Sequence, residues 1–403
     1  MSVESTVRWF HSHMQGAPQM GSVTNGSLLG VLKACLIDGF GATEAQSVVV
    51  SGGVATVTFG ADHRFYKFSV IEITGATPAE LNDEWRVEEI TGTTFTFNCP
   101  GIPDGAATGT ISVRIPPIPE WSTPFIDEAN HKIVLRPDSL DSNRFFLRVD
   151  DAHGRSPRVR AYEDMTGIDT GTDPFPTFAQ LAETSFIWGK SWAAASSDRP
   201  WYIFGNKHGF YYVPHLLSAW ASYPQRYSFA YGFFDPAPFD PSDLWATTIV
   251  GFNGANESWP NQNFGIVGST AGKYCARNVS GVTKSIQTTI GGMGGFHVWG
   301  NQNDTPGNTT YVWPGPAGGL PLFEKHLGFN SFGHPQTGIR STIPGVYAVP
   351  IRTNDPFFFN ETSELTYFPL EHSGGKMVAV PQSYSSAAGG VCLVDVVGPW
   401  SNE

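Results

Sequence analysis

The residues of this chain that could do chemistry fall into three small groups. The first is His11-x-His13, which places two imidazoles two positions apart. On a β-strand, residues i and i+2 point to the same face, so both rings could approach one metal ion. A metal site needs further ligands, and none lies nearby in the sequence. We therefore favour an exposed or interface histidine pair over a metal site.

The second group is Asp150-Asp151 followed by His153. A calcium loop requires alternating oxygen ligands that end in a bidentate glutamate, and the segment DDAHGRS lacks that spacing. Aspartate accepts hydrogen bonds from nearby backbone amides, and a glycine such as Gly154 tolerates positive φ. The pattern is therefore typical of a β-turn.

The third group is Asp164, Asp169 and Asp173, in a glycine- and threonine-rich segment. Spaced acids could bind a cation, or two of them could form the carboxylate pair of a glycoside hydrolase, whose carboxyl groups lie about 5–9.5 Å apart. We favour solvated loop acids and caps. No nucleophile elbow, P-loop, HExxH or dinucleotide fingerprint is present. The sequence therefore assigns no catalytic, cofactor-binding or metal-binding residue.

Tryptophan is concentrated in one region, because eight of the 12 tryptophans lie between Trp188 and Trp313. An exposed indole has an apolar body and a polar edge, which suits contact with a sugar ring, so a glycan-binding face is one explanation. Aromatic residues that pack wide β-sheets explain the same count. We favour a core or subunit-interface role for these rings.

Composition restricts the class of protein. Charged residues make up only 15% of the chain and aromatic residues 13%, and there are 45 glycines and 30 prolines. This balance predicts an ordered, β-rich protein whose poorly charged surface suits burial in an assembly. The formal net charge of −12 argues against binding to nucleic acid or to an anionic membrane, since both need clustered lysine and arginine.

The cysteines are Cys35, Cys99, Cys275 and Cys392, and none forms a CxxC pair. A zinc ribbon or thioredoxin-type motif is therefore excluded. We expect buried free thiols, and a Cys275–Cys392 disulfide remains the open alternative. The N-terminal residues show no secretory pattern, and no apolar run is long enough to span a bilayer, so we expect synthesis in a cytoplasm without membrane insertion.

Hydrophobic periodicity predicts a mainly β protein. Residues 1–45 contain a short amphipathic helix over LLGVLKACL. Such a helix is marginal alone, so its apolar face must dock on the next domain or on a neighbouring subunit. We expect residues 1–45 to pack on another chain rather than only on their own. Residues 46–118 predict a small β-sandwich or barrel with a hairpin turn at Gly52-Gly53.

Residues 119–403 predict a large antiparallel β domain, which the sequence leaves open to subdivision. Many short aromatic and β-branched runs separated by turn residues indicate its strands. Short helical inserts are predicted at Phe175–Glu183 and Pro214–Ala221. A segment rich in glycine, asparagine and serine predicts a long functional or interface loop from Asn253 to Gly295.

Several segments resemble a group of virion structural proteins from tailed bacteriophages and prophages. The segments are WFHSHMQGAPQM, GSLLGVLKACLIDGFG, GGVATVTF, VIEITGATPAELNDEWRV, FFLRVDD, RVRAYEDMTGIDTGTDPFPT, RPWYIFGNKHGFYY, IRSTIPGVYAVP and LVDVVGPW. Residues in the second region also resemble small β domains of phage tail components. The resemblance covers most of the chain. It implies a particle component of the tail or baseplate, and it implies no catalytic residues.

The leading interpretation is a non-enzymatic structural component of a tailed-phage virion, made in the host cytoplasm and assembled in several copies. Its expected partners are other virion proteins and copies of itself, without a cofactor. One alternative is a receptor-binding tail protein that recognises a host-surface glycan. A second is a capsid decoration protein. A third is a polysaccharide-degrading tail protein that uses the three spaced aspartates.

Overall fold

The computed structural model describes residues 3, 5–191, 194, 197–215, 231–253, 272–292, 323–328, 339–349, 367–369, 376–385 and 388–403. The fold is mainly β, with antiparallel sheets that stay open and one short α-helix. None of the helices among these residues has the length and hydropathy needed to cross a membrane.

The elements are short and follow one another closely. Up to residue 115 they are β1 (Arg8–His11), α1 (Ser27–Lys33), a π-helical turn (Ala34–Asp38), β2 (Phe40–Glu44), β3 (Ser47–Ser51), β4 (Val54–Thr58), β5 (Val70–Thr74), a 3-10 turn (Ala79–Leu81), β6 (Glu84–Arg86), β7 (Glu89–Ile90), β8 (Thr94–Asn98), β9 (Gly105–Ala106) and β10 (Ser112–Ile115). From there to residue 253 they are β11 (Trp121–Asp127), β12 (Lys132–Pro137), β13 (Phe146–Asp150), β14 (Arg158–Gly167), β15 (Thr170–Phe175), a 3-10 turn (Glu183–Ser185), β16 (Phe186–Ile187), β17 (Trp201–Asn206), β18 (Gly209–Pro214), β19 (Tyr231–Phe234), β20 (Ala237–Pro238), β21 (Thr248–Val250) and β22 (Phe252–Asn253). The last are β23 (Lys273–Arg277), β24 (Lys284–Gln287), β25 (Thr289–Gly292), β26 (Phe323–Gly328), β27 (Ile339–Val349), β28 (Tyr367–Pro369), β29 (Lys376–Ser385) and β30 (Ala388–Asp395).

Strands β2 to β10 form the small module, a sandwich of two open sheets. One sheet has the order β2-β10-β5-β6 and the other β7-β8-β4-β3-β9. Apolar and polar residues alternate along β3, β4 and β8, so each strand buries one face. Trp85 and Phe97 stack at 4.9 Å between the sheets. The predicted sandwich is confirmed, and its barrel alternative is wrong because the sheets do not close.

The predicted hairpin turn is present between β3 and β4. Gly52 and Gly53 have φ values of 61° and 76°. A two-residue turn with positive φ at both positions matches the right-handed twist of the flanking strands, and glycine adopts that conformation without a steric penalty. Ser51 therefore pairs with Val54 across the turn.

The rest of the chain forms the body, built around a central sheet of order β1-β17-β18-β19-β21-β23-β24. A second sheet has the order β11-β12-β13-β14-β16-β22, with β15 paired to β14. A third has the order β25-β26-β27-β30-β29-β28, with β20 paired to β27. Every residue of β17 and β18 is buried, which explains why both sequences are aromatic without alternating.

Side chains on β18 show that the central sheet is covered on both faces. The ring of Phe210 lies 5.4 Å from that of Trp121 and 5.7 Å from that of Trp188, on the side of the second sheet. The next residue, Tyr211, faces the opposite side. Its hydroxyl donates a 2.7 Å hydrogen bond to the Pro344 carbonyl in β27. The body is therefore layered, with this sheet in the middle.

The N-terminal segment belongs to the body. Strand β1 pairs with β17 along its whole length. The apolar face of the helix is buried within its own chain, with Leu28, Val31 and Leu32 fully inaccessible. Of the two surfaces expected to cover this face, the structure therefore shows the chain's own body. Packing of residues 1–45 on another chain as well stays a prediction. Strand β2, within the predicted segment, pairs with β10 of the small module.

Two further expectations change. At 175–183 the structure has the end of β15 and turns rather than a helix, because Phe175 is fully buried as a strand residue. The predicted loop 253–295 contains strands β23, β24 and β25. Its residues 254–271 and 293–295, and nearly all of the second predicted helix, lie outside the described residues.

Candidate functional site

The histidine pair is only half exposed. His11 ends β1 and is 5% accessible, and its ring lies 5.6 Å from that of Trp9 and 4.2 Å from that of Tyr66. His13 lies beyond the strand and is exposed. Its backbone N–H donates to His11 Nδ1 at 3.1 Å. The exposed alternative of the expected pair is thus corrected for His11, and the interface alternative stays a prediction. Burial lowers the pKa of His11 well below its usual value.

The second group divides into a turn and a buried ion pair. Asp150 accepts the Ala152 N–H at 3.2 Å, and Gly154 has φ of 54°, so the predicted turn is confirmed there. Asp151 plays a different role, because its carboxylate lies 2.5 Å from Lys190 Nζ and both side chains are 0% accessible. No sequence pattern marks Lys190, a single lysine between aromatic residues.

Asp151 also holds the start of the helix. Its Oδ2 accepts the backbone N–H groups of Leu28 and Leu29 at 2.7 and 3.2 Å. These are donors that the first turn of a helix leaves without an intrahelical partner. Lys190 Nζ donates in turn to the Thr24 carbonyl at 2.7 Å. One buried pair therefore fixes the N-terminal segment to the body.

The three spaced aspartates do not share a site. Asp169 accepts from Lys132 at 2.8 Å and from Arg148 at 2.5 Å. Asp173 pairs with Lys284 on β24. Asp164 is exposed and pairs with Thr172 in the β14–β15 hairpin. Asp173 follows Thr172, so its side chain lies on the face of the hairpin opposite to that of Asp164. Asp164 and Asp169 are exposed, as expected of solvated acids, whereas Asp173 is a half-buried strand residue.

The tryptophan-rich region is largely internal where the structure describes it. Trp188 and Trp201 are fully buried, as the core interpretation predicts. Trp245 is half-buried, and the Arg277 guanidinium lies 4.0 Å above its ring. Five members lie outside the described residues: Trp192, Trp220, Trp259, Trp299 and Trp313.

Burial suppresses the reactivity of three of the four cysteines. Cys35, Cys99 and Cys275 are free and buried, so Cys275 forms no disulfide with Cys392. Burial raises the pKa of the Cys35 and Cys275 thiols, which keeps both protonated and unreactive. Across these same residues, no three His, Cys, Asp or Glu side chains converge where a metal ion could bind.

Three exposed apolar residues lie near the place where β20 pairs with β27, and we call this group the apolar patch. We define it by Phe239, Leu244 and Ile339, which are 61%, 60% and 40% accessible. Phe239 N–H donates to the Arg340 carbonyl at 3.1 Å. Leu244 directly follows Asp243 in the chain, and Ile339 directly precedes Arg340.

A buried ion pair lies beneath the patch, toward the protein interior. The Arg340 guanidinium donates to both carboxylate oxygens of Asp243, at 2.6 and 2.8 Å, and the two side chains are 1% and 2% accessible. A bidentate arginine–carboxylate pair fixes direction as well as distance. The backbone that carries the three exposed apolar side chains is therefore held in place.

Comparison with known proteins assigns no family to this chain. No protein-family model and no curated protein matches it. Among solved structures, the phage phi92 endosialidase is similar to 89% of this chain and 70% of its own, with 11% identity and a TM-score of 0.16. A TM-score this low does not describe a shared fold, so no activity is inferred from that protein.

Proposed function

We propose that this chain is a non-enzymatic structural component of a tailed-phage virion, located in the tail or baseplate and assembled in several copies. The observation that carries the proposal is the rigidly supported apolar patch of Phe239, Leu244 and Ile339. Exposed apolar side chains grouped in one region of a surface are typical of protein–protein contact sites. The resemblance of most of the sequence to tailed-phage virion proteins supports the particle as its setting.

The charge distribution restricts which surface can meet this patch. Copies of a chain with net charge −12 repel one another wherever acidic surfaces meet. The two ionic groups that support the patch from below, Arg340 and Asp243, neutralise each other inside the protein. Asp240, however, directly follows Phe239 and is exposed, so we expect the neighbouring chain to meet the patch with a neutral or basic surface.

The direct test is the position of the chain in intact particles, determined by imaging at residue resolution. We expect it in the tail or baseplate with the patch covered by a neighbouring chain. A position on the capsid surface would favour the decoration role instead. Absence from every particle would refute the proposal.

A variant series tests the patch in solution. Phe239→Asp and Leu244→Asp are expected to weaken self-association or binding to neighbouring virion proteins at least about tenfold, since one buried aromatic or aliphatic anchor commonly contributes more than ~1.4 kcal/mol. Leu140→Asp is the matched control, because Leu140 is 88% accessible and lies apart from the patch in the sequence. Equal effects of all three variants would contradict the assignment.

A glycan-binding role is the second candidate, and it rests on Trp245 alone among the described tryptophans of the region. Glycan-array binding that is lost in Trp245→Ala would support it. Binding that persists in that variant would remove the observation on which this candidate depends.

A further inference from the structure

The pair Lys190–Asp151 brings an amine and a carboxyl group together in a fully buried position. Lys190 Nζ lies 2.5 Å from Asp151 Oδ1, and neither side chain has any accessible surface. An ordinary surface ion pair is surrounded by water, which solvates both charges and competes with the amine for the carboxyl carbon. Here water is excluded.

The contacts around the pair orient both reactants. Asp151 Oδ2 accepts from the N–H groups of Leu28 and Leu29, while Oδ1 faces the amine. Lys190 Nζ donates to the Thr24 carbonyl at 2.7 Å and lies 3.2 Å from Ser27 Oγ. These hydrogen bonds orient the Lys190 amine and fix the position of Nζ relative to the Asp151 carboxyl carbon.

We propose that Lys190 and Asp151 form an intramolecular isopeptide bond. The Nζ lone pair attacks the Asp151 carboxyl carbon, so that a C–N bond forms and the C–Oδ1 bond breaks. Oδ1 leaves as water, with the proton of the carboxylic acid and one proton from the amine. No oxidant, reductant or other reactant is consumed.

The backbone amides stabilise the intermediate of this step. When the amine adds, negative charge develops on Oδ2, and the Leu28 and Leu29 N–H groups already point at that oxygen. Preorganised donors of this kind stabilise tetrahedral intermediates in acyl transfer. The Ser27 hydroxyl oxygen accepts from Nζ at 3.2 Å and helps to orient the amine.

Burial also favours the reactive protonation state. It raises the pKa of the Asp151 carboxyl group and lowers that of the Lys190 amine. Both changes shift the pair from carboxylate and ammonium toward the neutral acid and amine. The neutral amine is the form with a lone pair available for attack.

The test is the intact mass of the full chain under denaturing conditions. We expect a mass about 18 Da below that of the sequence, equal to the water released when the nucleophile acylates. A tryptic digest should contain a branched peptide that joins residues 149–155 to the segment spanning residue 190. A folded wild-type chain, shown to unfold cooperatively, with its full sequence mass would overturn the proposal.

Variants exclude other sources of a mass deficit, such as succinimide formation. Lys190→Arg keeps the cation but has no nucleophilic amine, so it should restore the full mass; a retained deficit would overturn the assignment. Asp151→Asn should lose ammonia, about 17 Da, in the same reaction. Lys284→Arg is the matched control at the half-exposed pair with Asp173, and it should leave the wild-type deficit unchanged.

Discussion

The guanidinium of Arg86 donates a 2.8 Å hydrogen bond to the carbonyl of Val396, which lies 310 positions further along the chain. The same group donates to the Phe68 carbonyl at 3.0 Å. Arg86 lies in the small module and Val396 directly follows the last strand of the body, so one side chain joins the two. Burial, followed by the proximity of Arg8, lowers the pKa of Arg86 to about 10, and the group remains charged at neutral pH.

Replacing Arg86 by methionine should destabilise the protein by about 2–3 kcal/mol, because buried carbonyl oxygens lose a charged donor. Urea titration would measure the free energy of unfolding, and limited proteolysis should show earlier cleavage near the C-terminus. Arg114→Met is the matched control, since Arg114 is more exposed and pairs with Glu72; it should change stability by less than about 1 kcal/mol. Equal losses in the two variants would contradict the special position of Arg86.

Breaking the buried pair below the apolar patch should have a large effect. Arg340→Met leaves the Asp243 carboxylate buried without a cation, and we expect a loss of about 3–5 kcal/mol. The double variant Arg340→Met/Asp243→Leu should recover part of that loss, because it removes the unpaired charge. Denaturant unfolding of the two variants checks this order. If the double variant is less stable than the single variant, the loss in Arg340→Met does not come from the unpaired Asp243 charge, and the prediction is wrong.

His11 should make the protein less stable in mild acid. Its pKa is lowered in the folded state, so below pH ~6.5 the unfolded chain takes up a proton that the folded chain refuses. The free energy of unfolding should therefore fall by up to ~1.4 kcal/mol per pH unit for this group as the pH drops from about 6.5 toward 5.

The variant His11→Phe should flatten that dependence, because it keeps an aromatic ring beside Trp9 and Tyr66 but removes the titrating group. The exposed His13, replaced by glutamine, should change the slope less. Thermal or urea unfolding at about pH 7.5, 6 and 5 provides the measurement. An unchanged slope in His11→Phe would assign the acid sensitivity to other groups.

Two glycines should respond in opposite directions to alanine. Gly53 has φ of 76°, so Gly53→Ala should destabilise the hairpin by about 1–2 kcal/mol, and Gly53→Asn by less. Gly30 lies inside α1, and nothing lies within 4 Å of the position that a methyl group would take there, so Gly30→Ala should stabilise by about 0.5–1 kcal/mol. Calorimetric midpoints of the three variants test the contrast, and a destabilising Gly30→Ala would reject it.

Local patterns predict the small module well. Strands with one buried face leave a period of two in the sequence, and the Gly52-Gly53 turn has few conformational alternatives. The strands of the central sheet are also visible as aromatic and β-branched runs. Their partners are not, because a strand buried on both faces carries no information about which side each residue faces.

The buried ion pairs could not be predicted. Lys190 and Asp151 are 39 positions apart, and Arg340 and Asp243 are 97 apart, so their meeting depends on the tertiary fold. The surface that covers the helix could not be predicted for the same reason. The amphipathic pattern shows that the apolar face of the helix must be covered, but it does not show whether the same chain or another chain covers it.

The first and last residues of the small module lie side by side where they join the body. The Ile118 N–H donates to the Cys35 carbonyl at 2.8 Å, and Gly39 lies against the Ile115 carbonyl. Inserted domains typically have their first and last residues close together, because the host chain then needs only a short connection across the insertion point. Residues 40–115 are therefore an insertion whose ends the body already holds side by side, although its apolar core is continuous with that of the body.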